Sequence, residues 1–179
     1  MITDSDLTFE EAIKGTNAPQ VIIDELVLTD VYYYSFDNKL HKGQLVIHKT
    51  LEKDIKEIFF LLRENKFPVK KVLPIVMYDW SDNESMKDNN TSAFNYRFIA
   101  GTKRLSNHSY GRAIDINPFQ NPAVYKNGKI SPPGAVYNKS KAGTIVDDDF
   151  IVRAFLDRGW RWGGHWNSLK DYQHFDKNS

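Results

Sequence analysis

The amino-acid sequence predicts an α+β fold with a mostly antiparallel sheet and flanking helices. Three observations lead to this class. Short segments with strand periodicity are scattered along the chain, two longer segments have the periodicity of amphipathic helices, and the first two strands alternate as a hairpin does. The 179 residues, of which 41% are hydrophobic, suffice for one domain with a substantial core.

The N-terminal elements are a short helix and a hairpin. Thr8 and Glu11 have the spacing of a capping box, which predicts a helix over residues 9–14. Residues 25–36 are rich in Val, Leu and Tyr and predict a strand. A turn then leads to a second predicted strand over residues 40–48.

A longer helix and three strands are expected next. Thr50 is predicted to cap a helix over residues 51–65, because the apolar residues of this segment recur on one helical face. Residues 72–78 have the composition of a buried strand. Residues 94–100 and 113–116 predict two further strands.

The remaining segments predict two loops, a helix and a final strand. Residues 79–92 are polar and indicate a surface loop, and the proline-rich residues 117–140 indicate a long insertion lying over the sheet. The acids at 147–149 are typical of a helix start, and Gly159 is typical of a helix end. Residues 173–175 predict a short strand.

Composition excludes several classes of function. The formal net charge of +1 gives no support for a nucleic-acid or membrane-surface partner. The absence of cysteine removes disulfides, thiolate zinc sites and cysteine nucleophiles, which leaves histidine and carboxylate as metal ligands. No apolar run is long enough to predict a membrane span.

The N-terminal residues Met1–Asp6 are polar and contain no signal-peptide core. A signal that had been removed would leave the same sequence, so secretion remains open. We expect a periplasmic or secreted protein, with the cytoplasm as the alternative location.

A histidine and an acid stand out around a glycine turn. His108 lies just before this turn and Asp115 lies on the predicted strand after it, so both side chains could reach one metal ion. Asp115 stands between two isoleucines, and a buried carboxylate in that position needs a partner. The partner is either a metal ion or an arginine, Arg112 or Arg104.

A second acid and histidine lie near the C-terminus, where His174 follows Asp171 by three positions. In a tight loop both side chains can address one point, whereas in a strand they would face opposite sides. A lone histidine in such a context is more often structural. Together with His108 and Asp115, however, His174 would complete a three-ligand zinc set with one position left for water, and Asp171 could act on that water as a general base.

These motifs resemble a known family of zinc peptidases. The family includes D-alanyl-D-alanine carboxypeptidases, vancomycin-resistance dipeptidases and L-alanyl-D-glutamate endolysins, and the likeness is greatest to the L-alanyl-D-glutamate branch. The resemblance covers about residues 94–175 and implies a hedgehog/D-Ala-D-Ala peptidase-like fold. It is carried by three runs: Ser106-x-His108-x-x-Gly111-x-Ala113-x-Asp115, Gly159-Trp160-x-Trp162-Gly163-Gly164-x-Trp166 and Asp171-x-x-His174-Phe175.

The resemblance implies a role for each matching residue. The family's general base is often Glu, so Asp171 is one methylene shorter than the usual group. The implied roles are His108, Asp115 and His174 as ligands of one zinc ion per chain, Asp171 as general base, Arg97 near the scissile carbonyl or a substrate carboxylate, Ser106 as a supporting or substrate-contact group, and Trp162 and Trp166 as cleft walls or sheet packing.

Two alternatives to these roles stay open. Arg112 lies beside the metal turn and could replace Arg97 in binding a substrate carboxylate. His165 could be a fourth protein ligand that closes the metal site.

The sequence therefore predicts a zinc metallopeptidase that hydrolyses peptidoglycan stem peptides or short peptides containing D-amino acids, of the L-Ala-D-Glu endopeptidase or D,D-carboxypeptidase type. The alternative is a non-catalytic zinc-binding or peptidoglycan-binding domain of the same fold, as in hedgehog signalling proteins. Which bond is cut depends on how residues 79–92 and 117–140 block the ends of the cleft.

We expect one zinc peptidase domain over residues 1–179, with a motif-bearing core of about 72–179 and an N-terminal elaboration of 1–71. The expected partners are the peptide substrates alone, with no nucleic acid and no membrane span, and the expected oligomeric state is a monomer.

Overall fold

The computed structural model describes residues 1–178 of the chain, which contain short helices and short strands. The helices are α1 (Phe9–Ala12), α2 (Gln20–Ile23), α3 (Glu52–Glu64), α4 (Asp82–Lys87) and α5 (Phe150–Leu156). The strands are β1 (Ile2–Thr3), β2 (Leu26–Tyr34), β3 (Leu40–His48), β4 (Ala113–Asp115), β5 (Ala123–Tyr125), β6 (Ile130–Ser131), β7 (Arg161–Trp162), β8 (Leu169–Asp171) and β9 (His174–Asp176).

The strands form three small sheets, with the orders β1-β3-β2, β4-β9-β7 and β6-β5-β8. Strand β1 pairs with β3 in parallel, and the other strand pairs are antiparallel. The predicted α+β class with mostly antiparallel sheets is confirmed. Within residues 1–178, no helix combines the length and the apolar composition that a membrane crossing requires.

The N-terminal hairpin and α3 form the larger part of the core. Strands β2 and β3 pair along their whole length, as the alternation of their residues predicts. Helix α3 buries its apolar face against this hairpin, through Ile55, Ile58, Phe59 and Leu62. The same apolar cluster includes Phe175 of β9, so the N-terminal and motif-bearing segments share one core.

The predicted cap of α3 is wrong in detail. The side chain of His48 accepts a hydrogen bond from the backbone N–H of Thr50, and a 3₁₀ turn over Lys49–Leu51 precedes the helix. Thr50 instead contacts His48 through its hydroxyl, at 2.8 Å from Nδ1. A buried histidine at the end of β3 thus performs the capping that the sequence pattern assigned to threonine.

The predicted strand over 72–78 is also wrong. Val72 makes one isolated bridge, to Thr91, and a 3₁₀ turn over Ile75–Tyr78 follows. Pro74 precedes this turn and has no N–H group to donate to a ladder, which explains why apolar composition alone misled the prediction.

The two predicted loops contain regular structure. Residues 79–92 include helix α4, which Ser81 caps through its hydroxyl. Residues 117–140 include β5 and β6, and β5 pairs with β8. The insertion therefore extends a sheet and does not merely cover one.

The predicted strand over 94–100 is replaced by irregular backbone that connects the hairpin to the motif-bearing half. The N–H of Phe94 donates to the carbonyl of Val46 in β3 at 3.1 Å, and the N–H of Asn95 donates to the carbonyl of His108 at 3.1 Å. Ser92 pairs with Asp115 in both directions, at 2.9 and 3.1 Å. The backbone groups of this segment and of Ser92 form hydrogen bonds with three different parts of the chain, at Val46, His108 and Asp115. No regular ladder with a single strand therefore forms.

Gly111 lies where the motif-bearing part of the chain comes very close to the β2–β3 hairpin. It adopts a left-handed conformation with φ of +63°, and its carbonyl accepts a hydrogen bond from the N–H of His48 at 2.9 Å. A Cβ atom at this position would lie 2.6 Å from the His48 nitrogen and 2.7 Å from a methyl group of Leu26. Only glycine fits here.

We therefore expect Gly111→Ala to lower the free energy of unfolding by about 3 kcal/mol, because it adds left-handed strain to a steric clash. The matched control is Gly128→Ala, where φ is +82° and no atom lies within 4 Å of the added Cβ. This control should cost about 1 kcal/mol, from strain alone. Urea unfolding of the two variants measures the difference, and equal losses would contradict the close-approach argument.

Candidate metal centre and catalytic site

Three side chains converge on one point between β4 and β9. His108, Asp115 and His174 each offer a donor atom, and these atoms lie within 4.8 Å of one another. Nδ1 of His174 lies 2.9 Å from Asp115 Oδ1 and 3.3 Å from His108 Nε2, and His108 Nε2 lies 3.2 Å from Asp115 Oδ2. All three residues are buried.

A short turn positions His108. The 3₁₀ turn over Asn107–Tyr110 begins at Ser106, whose hydroxyl accepts a hydrogen bond from the His108 N–H at 3.3 Å, and ends at the left-handed Gly111. Strand β4 follows immediately and directs Asp115 to the same point. Ser106 thus supports the turn from within the protein and is buried itself.

Strand pairing positions His174. Asp115 of β4 is directly opposite His174 of β9 in the ladder. Residues opposite each other in a sheet project to the same face, so their side chains meet. A tight turn, Tyr172–Gln173, connects β8 to β9. Asp171 at the end of β8 therefore lies near His174 at the start of β9.

A hydrogen-bonding layer lies behind the two histidines. Nδ1 of His108 is within hydrogen-bond distance of the carbonyl of Ala93. This contact indicates that Nδ1 carries the proton and that the lone pair of Nε2 is free to bind a metal ion. Nε2 of His174 faces Oδ2 of Asp176 at 3.5 Å. Such partners orient histidines that bind metals.

Asp176 is itself held firmly. Arg161 donates two hydrogen bonds to its carboxylate, both at 2.9 Å, and the amide of Asn107 donates a third at 2.8 Å. The pKa of Asp176 is lowered to about 2: burial by itself would raise it, but the contacts with His174, Arg161 and Asn107 outweigh that effect.

Two of the three converging groups, Asp115 and His174, have strongly shifted pKa values. Burial by itself would raise the pKa of Asp115, but the charges of His108 and His174 hold it well below its ordinary value. Burial would likewise lower the pKa of His174, but its contacts with Asp115 and Asp176 raise it to about 10. The buried carboxylate therefore has a protonated partner in His174, and a metal ion would replace that proton.

The arginines that were alternative partners of Asp115 lie elsewhere. Arg104 is exposed, and a guanidinium nitrogen of Arg112 lies 3.1 Å from Nε2 of His48 in β3. Among residues 1–178 the ion-pair partners of Asp115 are the two histidines.

Asp171 lies beside this cluster at the end of β8. Burial raises its pKa to about 7, against an opposing effect of His174 and with a further increase from Asp115. Its Oδ1 is inaccessible and makes no hydrogen bond with any described residue. A Cβ on Gly163 would lie 2.4 Å from the backbone carbonyl of Asp171, so the glycine in the Trp-Gly-Gly run allows this close packing.

Arg97 lies within electrostatic range of Asp171. Its positive charge lowers the pKa of Asp171, and its guanidinium forms an ion pair with Asp82 of α4 at 3.2 Å. Ser109, which is fully buried, fixes the Arg97 backbone by accepting from its N–H at 2.9 Å and donating to its carbonyl at 2.8 Å. Nε of Arg97 has no partner among the described residues.

The two tryptophans differ in position. Trp162 is buried in the core, stacks on Phe175 and donates a hydrogen bond to the carbonyl of Tyr172 at 2.9 Å. Trp166 is half-buried, and its ring centroid lies 5.1 Å from that of His174. Trp166 is therefore positioned as a wall of the site, whereas Trp162 packs the sheet behind it.

His165 lies outside the cluster. It is exposed and pairs with Asp147, so the alternative in which it closes the site as a fourth ligand is not supported by its position.

Comparison with known proteins agrees with the motifs. A family model described as D-alanyl-D-alanine carboxypeptidase matches residues 100–177, which is less than half of the chain but includes the whole converging cluster and Asp171. This segment is similar to that peptidase family. No solved structure matches the chain. Arg97 and Asp82 lie outside the matched residues.

Several residues around the cluster were not identified from the sequence. Asp176 could have been found from strand periodicity, because it shares a face of β9 with His174 two positions earlier. Ser109, Asp82 and the carbonyl of Ala93 gave no signal, since only the fold brings them to the site.

The lowered pKa of Asp176 predicts an acid-dependent stability. A group whose pKa is lower in the folded protein stabilises it above the unfolded value of 3.8, and this contribution is lost as pH falls toward 2. In protein treated with chelator, Asp176→Asn should therefore cost about 2 kcal/mol at pH 6, and the difference should shrink toward zero near pH 2.

Chemical denaturation across this pH range measures the effect. The control Asp148→Asn removes an exposed charge and should change the free energy of unfolding by less than about 0.5 kcal/mol. A difference for Asp176→Asn that stays constant with pH would contradict the charge argument.

Proposed function

We propose that the protein is a zinc-dependent peptidase that hydrolyses peptide bonds in peptidoglycan stem peptides or related short peptides containing D-amino acids. The observation that carries the proposal is the convergence of two histidines and one carboxylate beside a second carboxylate, Asp171, whose pKa burial raises to about 7 and whose Oδ1 makes no hydrogen bond with any described residue. Periplasmic or secreted action belongs to the same proposal, since the substrate is found there.

The donor set suits zinc. His108 and His174 would each supply a ring nitrogen and Asp115 an oxygen, which is a neutral-plus-anionic set that zinc accepts with one position left open. The second nitrogen of each histidine already has an oxygen partner, from Ala93 or Asp176, as expected of metal-binding histidines. Bound zinc would supply the Lewis acidity that lets water ionise near pH 7.

Asp171 would handle the proton. A carboxylate with a pKa near neutrality can accept a proton from the attacking water and later deliver it to the amine that leaves. Its Oδ1 makes no hydrogen bond with any described residue, so no protein donor competes for that oxygen. The zinc charge would lower its pKa further, which keeps it deprotonated at neutral pH.

Arg97 would stabilise the charge that develops on the scissile carbonyl oxygen. Its guanidinium lies within electrostatic range of Asp171, and its backbone is fixed by Ser109. A preorganised donor of this kind contributes about 3 to 4 kcal/mol to the stability of the transition state.

The alternative is a zinc-binding domain of the same family that does not cut peptides. Such a domain needs the three ligands but has no use for a buried carboxylate without a hydrogen-bond partner, which costs folding free energy. The position of Asp171 therefore favours the enzyme.

The first test of the proposal separates metal binding from turnover. Asp171→Asn should lower kcat by about 10²- to 10⁴-fold, because an amide cannot accept the proton, and should keep one zinc per chain. His108→Ala should lose both zinc and activity. Metal content by mass spectrometry and cleavage of defined muropeptides, with and without chelator, measure these effects.

The matched control is His165→Ala, which removes an exposed histidine outside the cluster and should leave zinc content and activity unchanged. If zinc-loaded protein cuts no stem peptide and no short peptide containing a D-residue, the binding-domain alternative replaces the enzyme.

Arg97 provides a second test. Arg97→Ala should lower kcat by about 10²- to 10³-fold without loss of zinc. Because the charge of Arg97 lowers the pKa of Asp171, its removal should also move the acidic limb of the kcat/KM profile to higher pH. Arg97→Lys keeps the charge and should restore the position of that limb. An unchanged limb in Arg97→Ala would show that Asp171 is not the titrating base.

A further inference from the structure

A groove lies between helix α4 and the β5–β6 hairpin, outside the residues assigned to the catalytic site. Its volume is about 360 Å³. The groove lies between the segments 79–92 and 117–140, which are expected to control the ends of the cleft. Ser81 and Lys87 line it on one side, and Lys129, Ile130 and Pro132 line it on the other.

The register of the sheet β6-β5-β8 connects this groove to the proposed base. Ser131, which lines the groove, is opposite Ala123 of β5, and Ala123 is opposite Asp171 of β8. Residues in one such row project to the same face of a sheet. Neighbouring strands are roughly 4.8 Å apart, so Ser131 and Asp171 are about 10 Å apart on that face.

Side chains of α4 also connect the groove to the catalytic residues. Asp82, the first residue of α4, pairs with Arg97 at the catalytic end, and its neighbours Ser81 and Asn83 line the groove. Tyr125 lies at the boundary on the opposite wall: Lys129 of the groove is 5.9 Å from its ring centroid.

The lining of the groove combines an excess of positive charge with apolar surface. Lys87 is neutralised by Glu84 at 2.7 Å. Among the described residues the ammonium of Lys129 contacts no carboxylate. The prolines and Ile130 add apolar surface beside it. An acidic group with an aliphatic stem matches this combination.

We propose that this groove binds the peptide substrate about three residues from the bond that is cut, with Lys129 pairing with a carboxylate there. The distance follows from the rise of about 3.3 Å per residue in an extended peptide, which covers about 10 Å in three residues. The inference rests on the proposed peptidase function and deepens it: the substrate is an acidic oligopeptide that fills the groove, and a dipeptide is too short to reach it.

The test uses zinc-loaded protein and a series of synthetic peptides around the bond that the enzyme cuts. One peptide has only the residues that flank the bond, and others are extended by three residues on either side, ending in a carboxylate or in the matching carboxamide. We expect one extended carboxylate peptide to have a kcat/KM about tenfold above that of the short peptide, mainly through KM. Replacing the carboxylate by the amide should lose about fivefold, the size of one exposed charge pair.

Variants assign the effect to the groove. Lys129→Gln should remove the preference for carboxylate over amide while leaving cleavage of the short peptide intact. Lys126→Gln is the matched control, because it removes the same charge from an exposed position of the same hairpin that does not line the groove. An equal loss in both variants would overturn the assignment to Lys129.

A binding measurement separates this inference from the proposed function. Calorimetry of the extended peptides with zinc-loaded Asp171→Asn protein, with and without Lys129→Gln, requires no turnover. Weaker binding of the carboxylate peptide in the double variant supports the groove, even if the wild type cuts nothing. Equal binding, or cleavage of short and extended peptides at equal kcat/KM, overturns the groove and leaves the peptidase function standing.

Discussion

The buried carboxylate of Asp115 is the constraint on which the rest of the site depends. Its residue is 6% exposed and stands between two isoleucines that are fully buried, so its charge needs compensation inside the protein. His108 supplies that compensation from a 3₁₀ turn and His174 from strand β9. The pairing of β4 with β9, the capped turn around His108 and the bridging residues 92–95 all keep these two histidines beside one carboxylate.

Asp115 and Asp171 show how the surroundings of a carboxylate set its pKa. Asp115 contacts two histidines and its pKa is lowered, which makes it a permanent anion suited to holding a cation. Among residues 1–178 Asp171 has no ion-pair partner and its Oδ1 has no hydrogen bond, and burial raises its pKa to about 7, which suits exchange of a proton. The same functional group is thus suited to two purposes, because Asp115 has charged partners whereas the Oδ1 of Asp171 is buried without one.

Local patterns predicted the fold best where the interactions themselves are local. The capping box of Thr8 and Glu11 forms as expected, and β3 has the bounds that its alternation predicts. The predicted strand over 72–78 does not form, because Pro74 interrupts it and a local 3₁₀ turn follows. The predicted strand over 94–100 does not form, because its backbone groups bond to several different segments and not to one neighbouring strand. Strand propensity describes how a segment fits a ladder but cannot supply the neighbouring strand.

The sequence alone determined which chemical groups are present and in what spacing: two histidines, an acid between them along the chain, and a second acid three positions before the last histidine. Only the tertiary structure decided their surroundings. It turned Arg112 toward His48 and away from the cluster, and it paired Arg97 with Asp82. Spacing restricts residues that are close in the chain, whereas charge compensation and burial depend on whatever distant segments the fold packs against them.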